Sequence, residues 1–235
     1  MRTYTSFASV DIQRLLGVLV ETKSSPTAYR DAMTSLGRQL AHEILAKLMK
    51  ISEAPVCVAC TAEDADFLVK GLLEELELGG YDGSKLKLVC FWNERVRRFN
   101  GAHADAFDIA PIVKEYREDI DIRASVLVIV KSIISGACVV KTNLATLMED
   151  VTPRQVIVAA PVMLEGAEAR LGSEFPTDVA GLFEYVTFAI DDERGADHNV
   201  VPGIGGSIYE RLGFVDKTSY VPEIVKVRRQ KFAHA

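Results

Sequence analysis

The sequence predicts an α/β fold with a mostly parallel central sheet and helices on both faces. Three observations predict it. Five strand-like runs, PVCVACT (55–61), LKLVCFW (86–92), SVLVIV (125–130), RQVIVAAPV (154–162) and YVTFAI (185–190), alternate with helical stretches. Each run is continuously apolar rather than alternating, the pattern of strands covered on both faces. The chain has 235 residues, 49% of them hydrophobic, enough for one large α/β domain or two small ones with a real core.

The elements follow in order. The opening MRTYTSFASVDIQRLL lacks the apolar stretch and small-residue cleavage site of a secretory signal. No apolar run approaches the roughly 20 residues of a membrane span, so a cytoplasmic protein with no membrane partner is expected. The net charge of -6 gives no bulk attraction to nucleic acid or anionic lipid. Ser25 and Pro26 start a helix, Ser as N-cap and Pro in the first turn. Tyr29, Met33, Leu36, Leu40, Ile44 and Leu48 then recur at steps of three and four, an amphipathic helix of about six turns. EDADFLVKGLLEELEL (closed by Gly79-Gly80), GACVVKTNLATLMED and LEGAEARLGSEF read as the helices between strands. NERVRRFNGAHADAFDIAPIV (93–113) is too irregular for the core and reads as an excursion over the sheet edge. Ligands of such sheets sit beyond the carboxyl ends of the strands, here after Thr61, Trp92, Val130, Val162 and Ile190.

Cys57 and Cys60 form a C-x-x-C, a spacing used by zinc and redox sites. On a strand that odd spacing sends the two side chains to opposite faces, and no second pair or histidine cluster completes a site. Both are expected to be small buried hydrophobes, and no metal is assigned.

SVLVIVKSIISGACVV (125–140) reads as a buried strand, a short polar loop with Ser135 and Gly136, and the start of a helix. Such junctions bind phosphate through converging N–H groups and the helix N-terminus. At the strand end, where phosphate-handling enzymes commonly carry a carboxylate, stand Lys131 and Ser132.

The stretch FAIDDERGADHNVVPGIGGSIYERLGF (188–214) resembles the uracil phosphoribosyltransferases. In that family a strand ending in I-D leads into a loop of the P-G-L-G-D-A-G-D type and a terminal F-G; here the loop is Pro202-Gly203-Ile204-Gly205-Gly206-Ser207. RDAMTSLGRQLAHEIL (30–45) is similar to the family's R-x-L-x-x-x-L-G-x-L-L-x-Y-E-A helix, Phe91-Trp92-Asn93-Glu94 to its Y-R-N-E, and VIVAAPVMLEGAEA to its V-A-A-P-E-G segment. The resemblance runs in order over roughly residues 20 to 214. It implies a phosphoribosyltransferase-like domain over 26–214 with a small hood at 191–214, an N-terminal segment 1–25 and a C-terminal arm 215–235. It also implies a homodimer or higher homo-oligomer, an expectation the apolar stripe of the 26–49 helix supports, and Mg2+ if the protein is active.

The departures from the family pattern bear on activity. The family's D-P-M-L-A-T-G-G-S loop is represented by Lys131-Ser132-Ile133-Ile134-Ser135-Gly136-Ala137-Cys138, one residue shorter, with Lys for the leading Asp and one glycine of two. The family's pyrophosphate-facing R-A-G falls within Thr61-Ala62-Glu63-Asp64-Ala65, where acids replace the arginine. Trp92 stands for the arginine of Y-R-N-E, and Gly206 for the aspartate of G-L-G-D. A like-charge contact at ~4 Å costs about 1–4 kcal/mol at surface-like dielectric, so Glu63 and Asp64 oppose a pyrophosphate. Lys131 is expected to pair with Glu63, Asp64 or Asp191 across the donor cavity, within a tightened strand-to-helix turn. On the nucleobase side, uracil in the family is held mainly by backbone groups, which map to Val200, Gly205 and Ser207, in a loop shaped by Pro202 and Gly203.

These readings leave three functions. One is a catalytically impaired relative that binds a nucleobase, nucleotide or other phosphate ligand in a regulatory or accessory role. Another is an active uracil phosphoribosyltransferase, making UMP and pyrophosphate. The third is a structural or interaction protein using the fold as an oligomeric scaffold. Several side features have both a functional and a plainer reading. Trp92 is a stacking face for a base or a packing residue at the rim. His198 is a ligand contact or a structural histidine, and Asp191-Asp192-Glu193 is a magnesium site or a solvated loop. Arg95, Arg97 and Arg98, and in the arm Lys226, Arg228, Arg229 and Lys231, are partner contacts or exposed charge.

Overall fold

The computed structural model describes residues 1–51, 54–94, 96–99, 106–119, 126–195, 199–214 and 219–233. β1 (Arg2–Tyr4) leads into α1 (Val10–Val20), where the Ser9 hydroxyl accepts from the Ile12 N–H. α2 (Pro26–Leu48) begins as its sequence predicts, with Ser25 Oγ accepting from the Ala28 N–H. β2 (Val56–Thr61) runs into α3 (Ala62–Asp64), a π-helical turn (Ala65–Val69) and α4 (Lys70–Leu78). β3 (Leu86–Asn93) follows, then a separate ribbon of β4 (Val96–Phe99) and β5 (Ala106–Ile109), and β6 (Ile112–Arg117). β7 (Val126–Val130), β8 (Ile133–Ile134) and α5 (Cys138–Met148) precede β9 (Gln155–Leu164), α6 (Ala167–Gly172), α7 (Thr177–Ala180) and β10 (Phe183–Asp191). β11 (Glu193–Arg194), β12 (Val200–Val201), α8 (Ile208–Arg211) and α9 (Glu223–Ala233) complete the described chain.

The main sheet has eight strands in the order β1-β10-β9-β7-β2-β3-β6, with β8 beside β9. The five runs predicted from apolar continuity are the parallel strands β10, β9, β7, β2 and β3. The three additions have a common reason for escaping the pattern. β1 has three residues, β8 two, and β6 (IVKEYR) is an edge strand with only Tyr116 buried, so none carries a continuous apolar run. β1 and β6 pair antiparallel with β10 and β3. The fold class expected from the sequence is the one found.

Both faces of the sheet are covered. Val56, Val58 and Cys60 join the core beneath α1, α2 and α4, while Cys57 and Ala59 join the one beneath α5 and α6, as the period of two requires. The two cysteines therefore diverge, as their spacing predicts. Leu36, Leu40 and Ile44 of α2 are wholly buried within the chain. Its apolar stripe covers the sheet and the neighbouring helices, so it offers no surface for the second copy the sequence reading assigned to it. α2 also meets the π-helical turn and α4 very closely: a Cβ on Gly37 would lie 1.9 Å from the Leu68 carbonyl oxygen, and one on Gly71 2.2 Å from that of Thr34.

The two terminal segments belong to this body. Arg2–Tyr4 is a strand of the sheet, and α1 packs on α2. In the arm, Val225 is wholly buried in the core and Arg228 Nη1 lies 2.9 Å from the buried Glu118. Asp66 accepts from the Glu223 and Ile224 N–H groups and from the Tyr220 hydroxyl, so it caps α9 from across the fold.

Candidate functional site

Chain connections leave the centre of the sheet in opposite directions. From β2 the chain passes to β3 on one side, and from β7 it passes through β9 to β10 on the other. The crevice beyond the carboxyl ends of β2 and β7 is thus the switch point at which open α/β sheets bind ligands. β2 delivers Thr61, Glu63 and Asp64 there, and β7 delivers Lys131 and Ser132.

These residues satisfy one another. Lys131 Nζ donates to Asp64 Oδ2 at 2.6 Å, Thr61 Oγ1 at 2.6 Å and Glu63 Oε1 at 2.9 Å, which uses all three ammonium donors. Asp64 also accepts from the Thr61 hydroxyl at 2.9 Å and the Ser132 N–H at 3.1 Å. The Tyr209 hydroxyl, from α8, donates to the second oxygen of Glu63 at 3.1 Å. Lys131, Asp64, Thr61 and Ser132 are all buried. Loss of water weighs against the ammonium, but Asp64 and Glu63 outweigh it and hold Lys131 above the ordinary lysine range. Burial presses Glu63 upward too, yet the Lys131 charge and hydrogen bond bring it down to about 2. Asp64 loses most to burial and is held above its ordinary value; Lys131 opposes that rise and Glu63 adds to it. One ammonium shared by two acids drives their proton affinities apart.

The hood is built onto the first helices. Tyr29 of α2 donates its hydroxyl to the Ile204 carbonyl at 2.9 Å. Arg211 donates to the carbonyls of Leu19 and Glu21 at the end of α1, at 3.0 and 2.7 Å. Gly205, with φ of 78°, sits so close to α1 that a Cβ would fall 2.0 Å from the Leu19 oxygen. Val200 is buried and pairs with Arg194 across β12 and β11, whereas Gly206 is exposed and Ser207 opens α8.

Asp191 is placed differently from the expectation. It does not reach Lys131. Arg2 grips it with two hydrogen bonds of 2.8 Å, and the Gly203 N–H donates to it at 2.8 Å. Asp192 and Glu193 both face the N-terminal ammonium. With Asp191 buried and both its oxygens engaged, this run does not fit magnesium, and among the described residues no group of three His, Cys, Asp or Glu is arranged to hold a metal.

The phosphate-loop positions form more than a tightened turn. Ile133 and Ile134 make β8, paired with Val162 and Met163, because their branched apolar side chains suit a strand and Ile134 is buried. Ser135, Gly136 and Ala137 then lead into α5 at Cys138. The Ser135 carbonyl accepts from Arg194 of the hood, so that face of the loop is capped by the protein itself.

Trp92 is not a free stacking face. It is buried, its indole N–H donates to the Tyr220 carbonyl at 2.8 Å, and Lys114 Nζ lies 4.6 Å from its ring centre. Its large apolar surface is used to seat the arm. Asn93 beside it exchanges hydrogen bonds with Asn143. His198 and Arg95 lie outside the described residues, and Arg97 and Arg98 are described by strand position only, opposite Asp108 and Phe107. The sequence reading missed Tyr209 and Arg2. Tyr209 lies just past the hood loop and Arg2 in a three-residue strand, and only the folded hood and the edge strand bring them to the carboxylates.

No protein-family model and no curated protein matches the chain. Among solved structures, it is similar to the AQ2163 protein from Aquifex aeolicus, at 14% identity over 91% of this chain and 98% of that one, with a TM-score of 0.63. It is also similar to hypoxanthine-guanine phosphoribosyltransferase from L. donovani, at 11% identity over 71% of this chain and 84% of that one, TM-score 0.39. Purine phosphoribosyltransferase from Pyrococcus horikoshii aligns at 13% identity over 63% of this chain and 80% of that one, TM-score 0.34. The Aquifex likeness is one of fold, and the two enzymes overlap only loosely. Among the described residues no helix is long and apolar enough to cross a membrane.

Proposed function

We propose that this chain is a phosphoribosyltransferase-like protein without transferase activity, which binds a nucleobase, nucleotide or other phosphate ligand in a regulatory or accessory role. One observation carries the first half. The switch-point crevice, where a phosphoribosyl donor would sit in the family the sequence resembles, holds Lys131 neutralised by Asp64 and Glu63. A pyrophosphate entering there meets two acids whose shared ammonium, Lys131, is already satisfied, and it must break that ion pair to gain its charge. The second half rests on the hood, whose outer turn at Gly206 and Ser207 stays exposed.

A second reading, an interaction protein that keeps the fold for its surfaces, is favoured by the hood's own bonding. The Gly203 N–H, Gly205 N–H and Ile204 carbonyl all have partners inside the chain, leaving fewer backbone groups for a base. Titration calorimetry with uracil, UMP and phosphoribosyl pyrophosphate separates the readings. Binding of uracil or UMP without the donor supports the ligand-binding reading, and silence towards all three supports the interaction protein. Tight donor binding with turnover in Mg2+ overturns both and restores an active uracil phosphoribosyltransferase.

A further inference from the structure

Between α4 and α9 lies a groove of about 440 Å³. Phe67, Leu73, Ile224 and Val227 give it an apolar floor, and Val227 is 43% exposed although Val225 on the same helix is wholly buried. The groove's charges are largely consumed inside the chain. Asp66 caps α9, Glu74 pairs with Arg38 and Lys70, Arg228 pairs with Glu118, and Glu223 pairs with Lys226. Two exposed charges remain without an ion-pair partner among the described residues. Glu77 lies at the end of the α4 wall and Lys231 at the end of the α9 wall.

We propose that this groove is a self-association surface, in which two copies of the chain meet across a two-fold axis with α9 of each lying in the groove of the other. The charge pattern favours a second copy over a foreign partner. A two-fold contact sets residue i against j and j against i, so each Lys231 meets the other copy's Glu77 while the two Val227 side chains enter the apolar floors. A uniformly acidic or basic partner matches one wall and repels the other. The surface is independent of the switch-point crevice and of any ligand bound there.

The test is the mass in solution of the intact chain and two charge-reversal variants, by light scattering and sedimentation at about 100 μM, where mass action favours assembly. The wild type is expected at twice the 25.8 kDa chain mass. Glu77→Lys and Lys231→Glu each place like charges at both ends of the contact, and each is expected to weaken dimerisation at least about tenfold. Mixing the two variants restores opposite charges at both contacts, so a dimer of one of each is expected to return. Both side chains are exposed, so the melting temperatures of dilute monomer should match, which separates lost association from lost folding. A monomeric wild type, a dimer indifferent to both reversals, or a mixture that fails to reassociate overturns the proposal.

Discussion

Lys131 Nζ stands 2.6 Å from Asp64 Oδ2, and the Asp64 side chain has no exposed surface. The pair joins the ends of two adjacent parallel strands, so its worth lies in what each partner would do alone. Lys131→Met leaves the buried Asp64 facing the part-buried Glu63 with no counter-charge, and removing one partner of a buried pair typically costs about 3–5 kcal/mol. Adding Asp64→Asn and Glu63→Gln removes the stranded charges, and most of that loss is expected to return. Urea unfolding of the single and triple variants checks both. A single variant that loses less than about 1 kcal/mol contradicts the network.

Activity gives a second prediction. Lys131→Asp restores the acid of the resembled loop but sets three carboxylates together, with the loop still one residue short. No conversion of labelled uracil to UMP is expected from wild type or variant, with phosphoribosyl pyrophosphate and Mg2+ supplied, and the variant should unfold at lower urea. UMP formation by Lys131→Asp alone would show that the charge exchange is the only obstacle to transfer.

The third prediction concerns pH. Glu63 is depressed to about 2 in the fold, so its stabilisation is fully present above its unfolded value near 4.5 and is lost as pH falls through about 2. Lys131 is raised, so its share is present below its unfolded value and lost only at strongly alkaline pH. Asp64 is raised and works the other way, favouring the fold most below its unfolded value. The gap in urea midpoint between wild type and Glu63→Gln should therefore be widest near neutrality and close between pH 4.5 and about 2. A gap that stays constant over that span rules out the depressed carboxylate.

Two neighbouring glycines give the fourth. At Gly205 an added Cβ meets the Leu19 carbonyl oxygen at 2.0 Å, whereas at Gly206, with φ of 110°, it meets nothing within 4 Å. Gly206→Ala carries only backbone strain, about 1–3 kcal/mol. Gly205→Ala adds a clash with backbone and should lower the melting temperature clearly more. Equal shifts would mean that the hood does not rest on α1.

What the sequence disclosed, and what it hid, follows from how far each signal extends along the chain. The five parallel strands are legible because double-sided burial writes itself into every residue of a run. The meeting of Lys131 with Glu63 and Asp64 is legible for a related reason, since neighbouring parallel strands align their carboxyl ends. Asp191 was expected in that same crevice because it too ends a strand. Its true partner, Arg2, sits in a strand of three residues that no periodicity reveals. Residues 215–235 read as an arm because they extend past the stretch that carries the family resemblance. Glu118, which fixes Arg228, and Asp66, which caps α9, are acids with nothing local to mark them. Trp92 was weighed as a stacking face or a packing residue, and what decides for packing is the Tyr220 carbonyl 128 positions away.

The pairing of β1 with β10 joins residues 189 positions apart. A ribosome adds about 5–20 residues each second, so roughly 10–40 s separate the synthesis of the two strands. Through that interval Arg2 lacks its Asp191 partner, and the flank of β10 it will cover does not yet exist. Closure of the sheet edge must then await the synthesis of β10, and the hood loop, which shares Asp191 through the Gly203 N–H, settles with it. β1 waits for a neighbour that lies 189 positions further along the chain.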